Sequence, residues 1–177
     1  MRRFGKLPLA LITALSLVLL VTAVAGGAAR DRTVQILDNC DPASFNAALG
    51  DGSCVRDGGG VTFDRFVEQL LRKGRVDSWR FSPERLQLAA GGSIRAINRG
   101  GEFHTFTEVA AFGGGCVAEI NALLGLDPVP ECANAGMLFG TTGVAPGDDL
   151  QTGPLATGTH RFQCIIHPWQ RTTVEAD

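Results

Sequence analysis

Apolar residues recur every three or four positions between residues 58 and 74, and this spacing predicts an amphipathic helix. The apolar positions share one helical face: Phe63, Phe66, Val67, Leu70 and Leu71. Thr62 can cap the first turn, and Gly74 follows a basic last turn, so both ends carry helix-boundary signals. We interpret the apolar face as a packing surface that docks the helix onto the domain that follows.

Two shorter helices are also predicted. In the segment 40–54, Asp41 can act as the N-cap, Pro42 as the first helical residue and Gly50 as the stop. A third helix is expected around 117–124, where Gly125 ends it.

From residue 76 the pattern changes from a helical period to a period of two. Val76, Trp79 and Phe81 are candidate core residues, and strand-like runs follow in 85–100, 102–112, 157–164 and 171–177. The chain also contains 23 glycines, which suits frequent turns. Several short strands separated by turn signals predict an all-β sandwich or barrel.

The first 25 residues are predicted to be a signal peptide. Arg2, Arg3 and Lys6 precede an apolar run, and Ala23-Val24-Ala25 fits an A-x-A cleavage site. The alternative is a retained membrane anchor, because the run approaches the length of a membrane span. Export to the periplasm, the cell envelope or the medium is the expected localisation.

The charge balance gives no support for a nucleic-acid partner. The formal net charge is −2, and removal of the basic, acid-free N-terminal segment would make the chain more acidic.

Five cysteines in an exported chain leave one without a partner. Cys40 and Cys54 bracket one short segment, and Cys116 and Cys132 bracket another, so two local bridges are the economical prediction. The spacing does not prove this connectivity. Cys164 is then the odd residue. It is either an inert buried thiol or a thiolate held by a metal, and the metal is the preferred interpretation.

The three histidines narrow the kind of metal site. If the other four cysteines pair, a four-coordinate zinc site on Cys164 would need all three histidines. His160 lies four residues before Cys164 on one predicted strand, about 13 Å away, and is therefore expected at an edge or on the surface. Cys164, His104 and His167 remain, and one thiolate with two imidazoles and a weak fourth donor is the trigonal blue-copper set.

At these residues the chain resembles the cupredoxin family. "CIIHPWQ" (164–170) is similar to the ligand loop of amicyanin-like members, and "INRGGEFHTF" (97–106) is similar to the segment with the first histidine ligand. The resemblance implies a Greek-key β-sandwich over 76–177, and 26–75 is then a helical N-terminal extension. The loop 113–136, bracketed by the second cysteine pair, is an insertion.

The same resemblance implies a function. It implies one copper ion per chain, held by His104, Cys164 and His167, and electron transfer with protein redox partners rather than enzymatic catalysis. The chain is expected to be a monomer. Asn98 is expected beside the copper loop, tying it down through hydrogen bonds.

Gln170 occupies the position of the family's axial methionine. Glutamine is a known axial substitute, and its harder oxygen favours Cu(II), so Gln170 is predicted to be the fourth ligand. Three alternatives stay open at this position: no axial ligand, a carboxylate such as Glu102 giving a red or non-blue site, and a degenerate site that binds poorly. Alternative functions are a copper carrier or storage protein and a copper site that reacts with small molecules.

The expected electron port is His167, whose ring edge is predicted to reach the surface. Pro168 and Trp169 are candidates for an apolar rim around it, and ordinary core packing is the alternative for Trp169. The second N–H of His167 is expected to face solvent or a partner, and that of His104 is expected to face a backbone carbonyl.

Overall fold

The computed structural model describes residues 30–177, so the predicted signal peptide lies outside the described residues. The described residues form ten strands: β1 (Asp31–Leu37), β2 (Arg80–Ser82), β3 (Arg85–Leu88), β4 (Ser93–Asn98), β5 (His104–Thr105), β6 (Thr107–Glu108), β7 (Gly143–Val144), β8 (Asp149–Gln151), β9 (Gly158–Gln163) and β10 (Arg171–Ala176). The helices are α1 (Pro42–Leu49), α2 (Phe63–Lys73), α3 (Ala118–Leu124), a 3-10 helix (Pro130–Asn134) and α4 (Ala135–Thr142).

Two four-stranded sheets face each other across a buried apolar core. Their strand orders are β2-β1-β4-β8 and β3-β10-β9-β6, and a short β5-β7 ladder lies apart from them. Both sheets contribute side chains to the core, as Ile36, Ile94, Phe162 and Val174 illustrate. The predicted Greek-key β-sandwich with a helical N-terminal portion is confirmed.

The sandwich begins earlier in the chain than predicted. Strand β1 lies inside the first sheet, parallel to β4 and antiparallel to β2, with Ile36 opposite Asn98. Val34 and Ile36 are fully buried in the sandwich core. The predicted division between an extension at 26–75 and a domain at 76–177 therefore places β1 on the wrong side of the boundary.

The helices α1 and α2 form a cover with its own core, which we call the helical cover (residues 40–79). Phe45, Phe66 and Trp79 are buried in contact with one another, with ring centroids 5.0–5.8 Å apart. Asp41 and Thr62 cap the two helices as predicted. Leu71 was assigned to the packing face but is 62 % exposed, because that face is narrower than the sequence pattern implies.

Both predicted disulfides are present. Cys40 is bonded to Cys54, Cys116 is bonded to Cys132, and Cys164 is free and buried. The first bridge lies in the helical cover, and the second closes the loop that carries α3.

The helix α4 and the strands β7 and β8 had no counterpart in the predictions. Within residues 30–177, no helix combines the length and the apolar character needed to cross a membrane.

Candidate metal centre

Three side chains predicted to bind a metal converge at one buried point. The Sγ atom of Cys164 lies 3.8 Å from Nδ1 of His104 and 3.7 Å from Nδ1 of His167. The two Nδ1 atoms are 3.2 Å apart. All three residues are buried, and their ligand atoms form one of two groups in the described residues that could hold a metal ion.

Two neighbouring parts of the sandwich position these residues. His104 opens β5, and Cys164 directly follows β9. A tight turn then reverses the chain. The backbone N–H of Gln170 donates to the His167 carbonyl (2.8 Å), and the backbone N–H of Cys164 donates to the backbone carbonyl of Gln170 (3.1 Å). This closed turn brings the His167 ring back beside Cys164.

Thr105 ties the two parts together. Its hydroxyl oxygen accepts the amide hydrogen of Ile165 at 2.9 Å, and its own amide points at Cys164 Sγ from 3.4 Å. The His167 amide approaches the same sulfur at 3.5 Å. N–H groups directed at sulfur stabilise a thiolate. Burial acts to raise the pKa of Cys164, but hydrogen bonds and charge from the two histidines outweigh it and hold that pKa well below its usual value in the metal-free protein.

His104 is backed by a carboxylate, and the predicted backbone carbonyl partner is therefore wrong. Its Nε2 lies 2.8 Å from Oδ2 of Asp38, and both side chains are fully buried. In the metal-free protein, burial acts to lower the pKa of His104, but Asp38 and Cys164 raise it to about 10. Burial likewise acts to raise the pKa of Asp38, and His104 together with the backbone amides holds it well below its usual range.

The sequence analysis missed Asp38. The residue directly follows the apolar-polar alternation of β1, which is a strand signal, but no spacing rule links it to a histidine 66 positions away.

His167 does not reach the surface as predicted. It is only 4 % exposed, because Phe66 and Trp169 pack edge-on to its ring at centroid distances of 6.3 and 5.4 Å. Pro168 is buried and Trp169 is partly buried beside it. The helical cover therefore occupies the place where an exposed ring edge was expected.

A carboxylate also lies behind His167. Its Nε2 is 3.7 Å from Oε2 of Glu102, which accepts a hydrogen bond from the Trp79 indole. Burial raises the pKa of Glu102. Glu102 belongs to a second potential metal-binding group, with Asp38 and His104, on the opposite side of the imidazoles from Cys164.

Gln170 is fully buried beside the site turn. Its Nε2 donates to the Leu37 carbonyl at 3.0 Å, whereas its Oε1 has no hydrogen-bond partner. Buried carbonyl oxygens normally accept a hydrogen bond. This oxygen accepts none, so its lone pairs are available to another partner.

Two other predicted placements differ in outcome. His160 lies on β9, is partly exposed, and is bonded to Glu108 (2.6 Å) and to the Ala156 carbonyl (2.8 Å), as expected for a residue outside the site. Asn98 is buried, but its amide donates to the carbonyls of Glu102 (2.8 Å) and Val144 (2.9 Å) rather than to the Cys164 turn. Thr105 makes the link to that turn instead.

An apolar cavity of about 360 Å³ adjoins His167. Its walls come mainly from α1, α2 and α3, and Glu102 contributes a polar group. His167 lines this cavity together with mostly apolar side chains.

No protein-family model and no curated protein sequence matches the chain. Among solved structures, a purple cupredoxin from Nitrosopumilus maritimus is similar at 18 % identity, covering 58 % of this chain and 86 % of that chain with a TM-score of 0.41. Amicyanin from Paracoccus versutus is 13 % identical, with coverages of 58 % and 76 % and a TM-score of 0.37. A mutant plastocyanin of a fern is 15 % identical, with coverages of 56 % and 89 % and a TM-score of 0.36. At these values the likeness identifies neither a shared ligand nor a shared activity.

Proposed function

We propose that this chain is a mononuclear type 1 copper protein that carries single electrons. The observation that carries the proposal is the convergence of one sulfur and two Nδ1 atoms, 3.2–3.8 Å apart, in a buried site. Bonds of about 2.0–2.3 Å from such ligands to a common first-row ion separate the ligand atoms by roughly 3.3–3.8 Å. One thiolate with two imidazoles is also the donor set of blue-copper sites.

The surrounding residues fit that ion. Gln170 offers a buried oxygen without a partner, which supports its assignment as the weak axial ligand. Glu102 is a poorer candidate for the fourth ligand, because its carboxylate lies behind the imidazoles and already accepts from Trp79.

Bound copper would supply a one-electron couple between Cu(II) and Cu(I). The protein's own contribution is to hold the ligands in place and to exclude water. Cys164 and His104 are fully buried, and the Thr105 tie fixes the distance between their two segments. A ligand set that the fold holds in one arrangement changes little when the charge changes, which favours rapid electron transfer.

Electron exchange with a protein redox partner would pass through the helical cover. Phe66 and Trp169 lie between the His167 ring and the outside, and Trp169 is partly exposed. We infer that a partner docks against the surface formed by the helical cover and Trp169 rather than on the His167 ring itself. Two disulfides suit an oxidising compartment, which supports the proposal that the chain is exported.

Titration of the chain from residue 30 with Cu(II), followed by visible absorption, tests the proposal. We expect an intense thiolate-to-copper band that saturates at one ion per chain and is absent in Cys164→Ser. The absence of this band from the wild-type protein, with Cys164 still reactive towards thiol reagents after unfolding, would refute the proposal.

Two further measurements separate the alternative functions. A copper carrier would lose its ion rapidly to a chelator, whereas the buried site predicts slow exchange. A copper site that reacts with small molecules would change its spectrum on addition of azide or nitrite, and a filled coordination sphere predicts no change.

A further inference from the structure

Asp38 is a buried carboxylate with hydrogen-bond donors facing both of its oxygens. It follows β1 directly, and its side chain is fully buried. Oδ1 accepts from the amides of Gly101 (2.9 Å) and Cys40 (3.2 Å). Oδ2 accepts from the amide of Glu102 at 3.0 Å and faces Nε2 of His104 at 2.8 Å.

All four neighbours are nitrogen atoms that can donate. A carboxylate that accepts from every side is favoured in its ionised form, because a proton on either oxygen would face another donor. The group at Nε2 of His104 must then be an N–H. In the neutral ring, which is the form that binds a metal, that assignment leaves the Nδ1 lone pair of His104 on the side of Cys164 and His167.

Gly100 provides the space that the Asp38 carboxylate occupies. A Cβ atom on Gly100 would lie 1.8 Å from Oδ2 of Asp38, so any larger residue there would displace the carboxylate. Asp38 therefore depends on a turn, residues 100–102, that provides both two amide donors and the required space.

We propose that Asp38 is a positioning residue that fixes the orientation of His104 and lowers the reduction potential of the metal centre. This inference rests on the proposed copper function. Its negative charge, one imidazole away from the metal and shielded from water, stabilises Cu(II) more than Cu(I). Holding Nδ1 towards Cys164 keeps the imidazole in the orientation that the trigonal ligand set needs.

The first test compares the reduction potentials of copper-loaded wild-type protein, Asp38→Asn and Asp31→Asn by spectroelectrochemistry. Asp31 is the matched control, because it is an exposed residue at the other end of β1, about 23 Å away at strand rise. In Asp38→Asn the ratio of the Cu(II) to the Cu(I) binding constant should fall at least about tenfold, a rise of ~59 mV for a one-electron couple. Asp31→Asn should match the wild type.

Gly100→Ala provides a second variant that keeps the charge of Asp38. Its Cβ should push the carboxylate away from His104, so the potential should rise here as well. The inference is overturned if either folded variant keeps the wild-type potential. A missing Cys164-dependent copper band in the wild type would instead refute the proposed function, so the two failures are distinguishable.

A third measurement needs no variant and no copper. In the wild-type protein loaded with Zn(II), nitrogen-15 NMR should show the His104 proton on Nε2, downfield-shifted and slow to exchange with solvent. A proton on Nδ1, or rapid exchange at Nε2, would overturn the inference without reference to any potential.

Discussion

Replacing Phe66 by alanine should destabilise the helical cover and open the candidate metal centre. Phe66 is only 5 % exposed, and its ring contacts those of Phe45, Trp79, Trp169 and His167 at centroid distances of 5.0–6.3 Å. Truncation of a buried phenylalanine to alanine typically costs about 3–5 kcal/mol.

The structure places this substitution near the lower end of that range. Phe66 packs against five rings, those four and Phe63, but it also borders the 360 Å³ cavity, so part of its surface has no packing partner to lose. We therefore expect a loss of about 3 kcal/mol in the free energy of unfolding. For a domain of this size, that loss lowers the melting temperature by roughly 6–12 °C.

Thermal unfolding of the metal-free protein, followed by circular dichroism, measures this loss. Leu71→Ala is the matched control, because Leu71 lies on the same helix but is largely exposed, and its truncation should change stability by no more than about 0.5 kcal/mol. Equal melting temperatures for the two variants would refute the packing of α2 described above. In the copper-loaded protein, azide should perturb the visible band of Phe66→Ala and leave that of Leu71→Ala unchanged.

The other predictions concern the site turn, the axial position and His160 on β9. Thr105→Val should lose about 1–3 kcal/mol in urea unfolding, because the Ile165 amide loses its buried acceptor, and Thr105→Ser should restore most of that loss. Gln170→Met should raise the reduction potential, with a change in relative Cu(II)/Cu(I) affinity of about tenfold or ~59 mV, and an unchanged potential would contradict axial coordination. Burial acts to lower the pKa of His160, but its hydrogen bonds raise it above the value in the unfolded chain. The stability that protonated His160 contributes is therefore complete below the unfolded pKa and is lost as pH rises through the folded pKa. The stability difference between wild type and His160→Gln in urea should therefore be largest near pH 5–6 and shrink towards pH 9, and Glu108→Gln should weaken this dependence.

Local features of the fold were predictable because local rules determine them. The caps at Asp41 and Thr62 and the stops at Gly50 and Gly74 follow from hydrogen bonding within one helical turn. Disulfide pairing followed from short loops, and Cys164 then remained as the odd thiol. Val34 and Ile36 alternate with polar residues in β1, which is a strand signal that the sequence analysis did not use.

The parts that could not be predicted depend on contacts between distant segments. Asp38 meets His104 only because β1 pairs in parallel with β4, and the sequence does not specify that pairing. The burial of His167 depends on where α2 docks, and an apolar stripe shows that a helix packs but not what it packs against.

The candidate metal centre lies where the two cores of the molecule meet, and this position links its properties to both. Cys164 belongs to the sandwich core, whereas Phe66 and Trp79 belong to the core of the helical cover. The turn at residues 100–102 connects them, because its amides hold Asp38 and its Glu102 side chain accepts from Trp79. Movement of the cover would thus reach both imidazoles through their carboxylates, as well as uncovering the His167 ring. For this reason Phe66→Ala should alter the reduction potential of the copper-loaded protein, although Phe66 itself offers no atom to a metal.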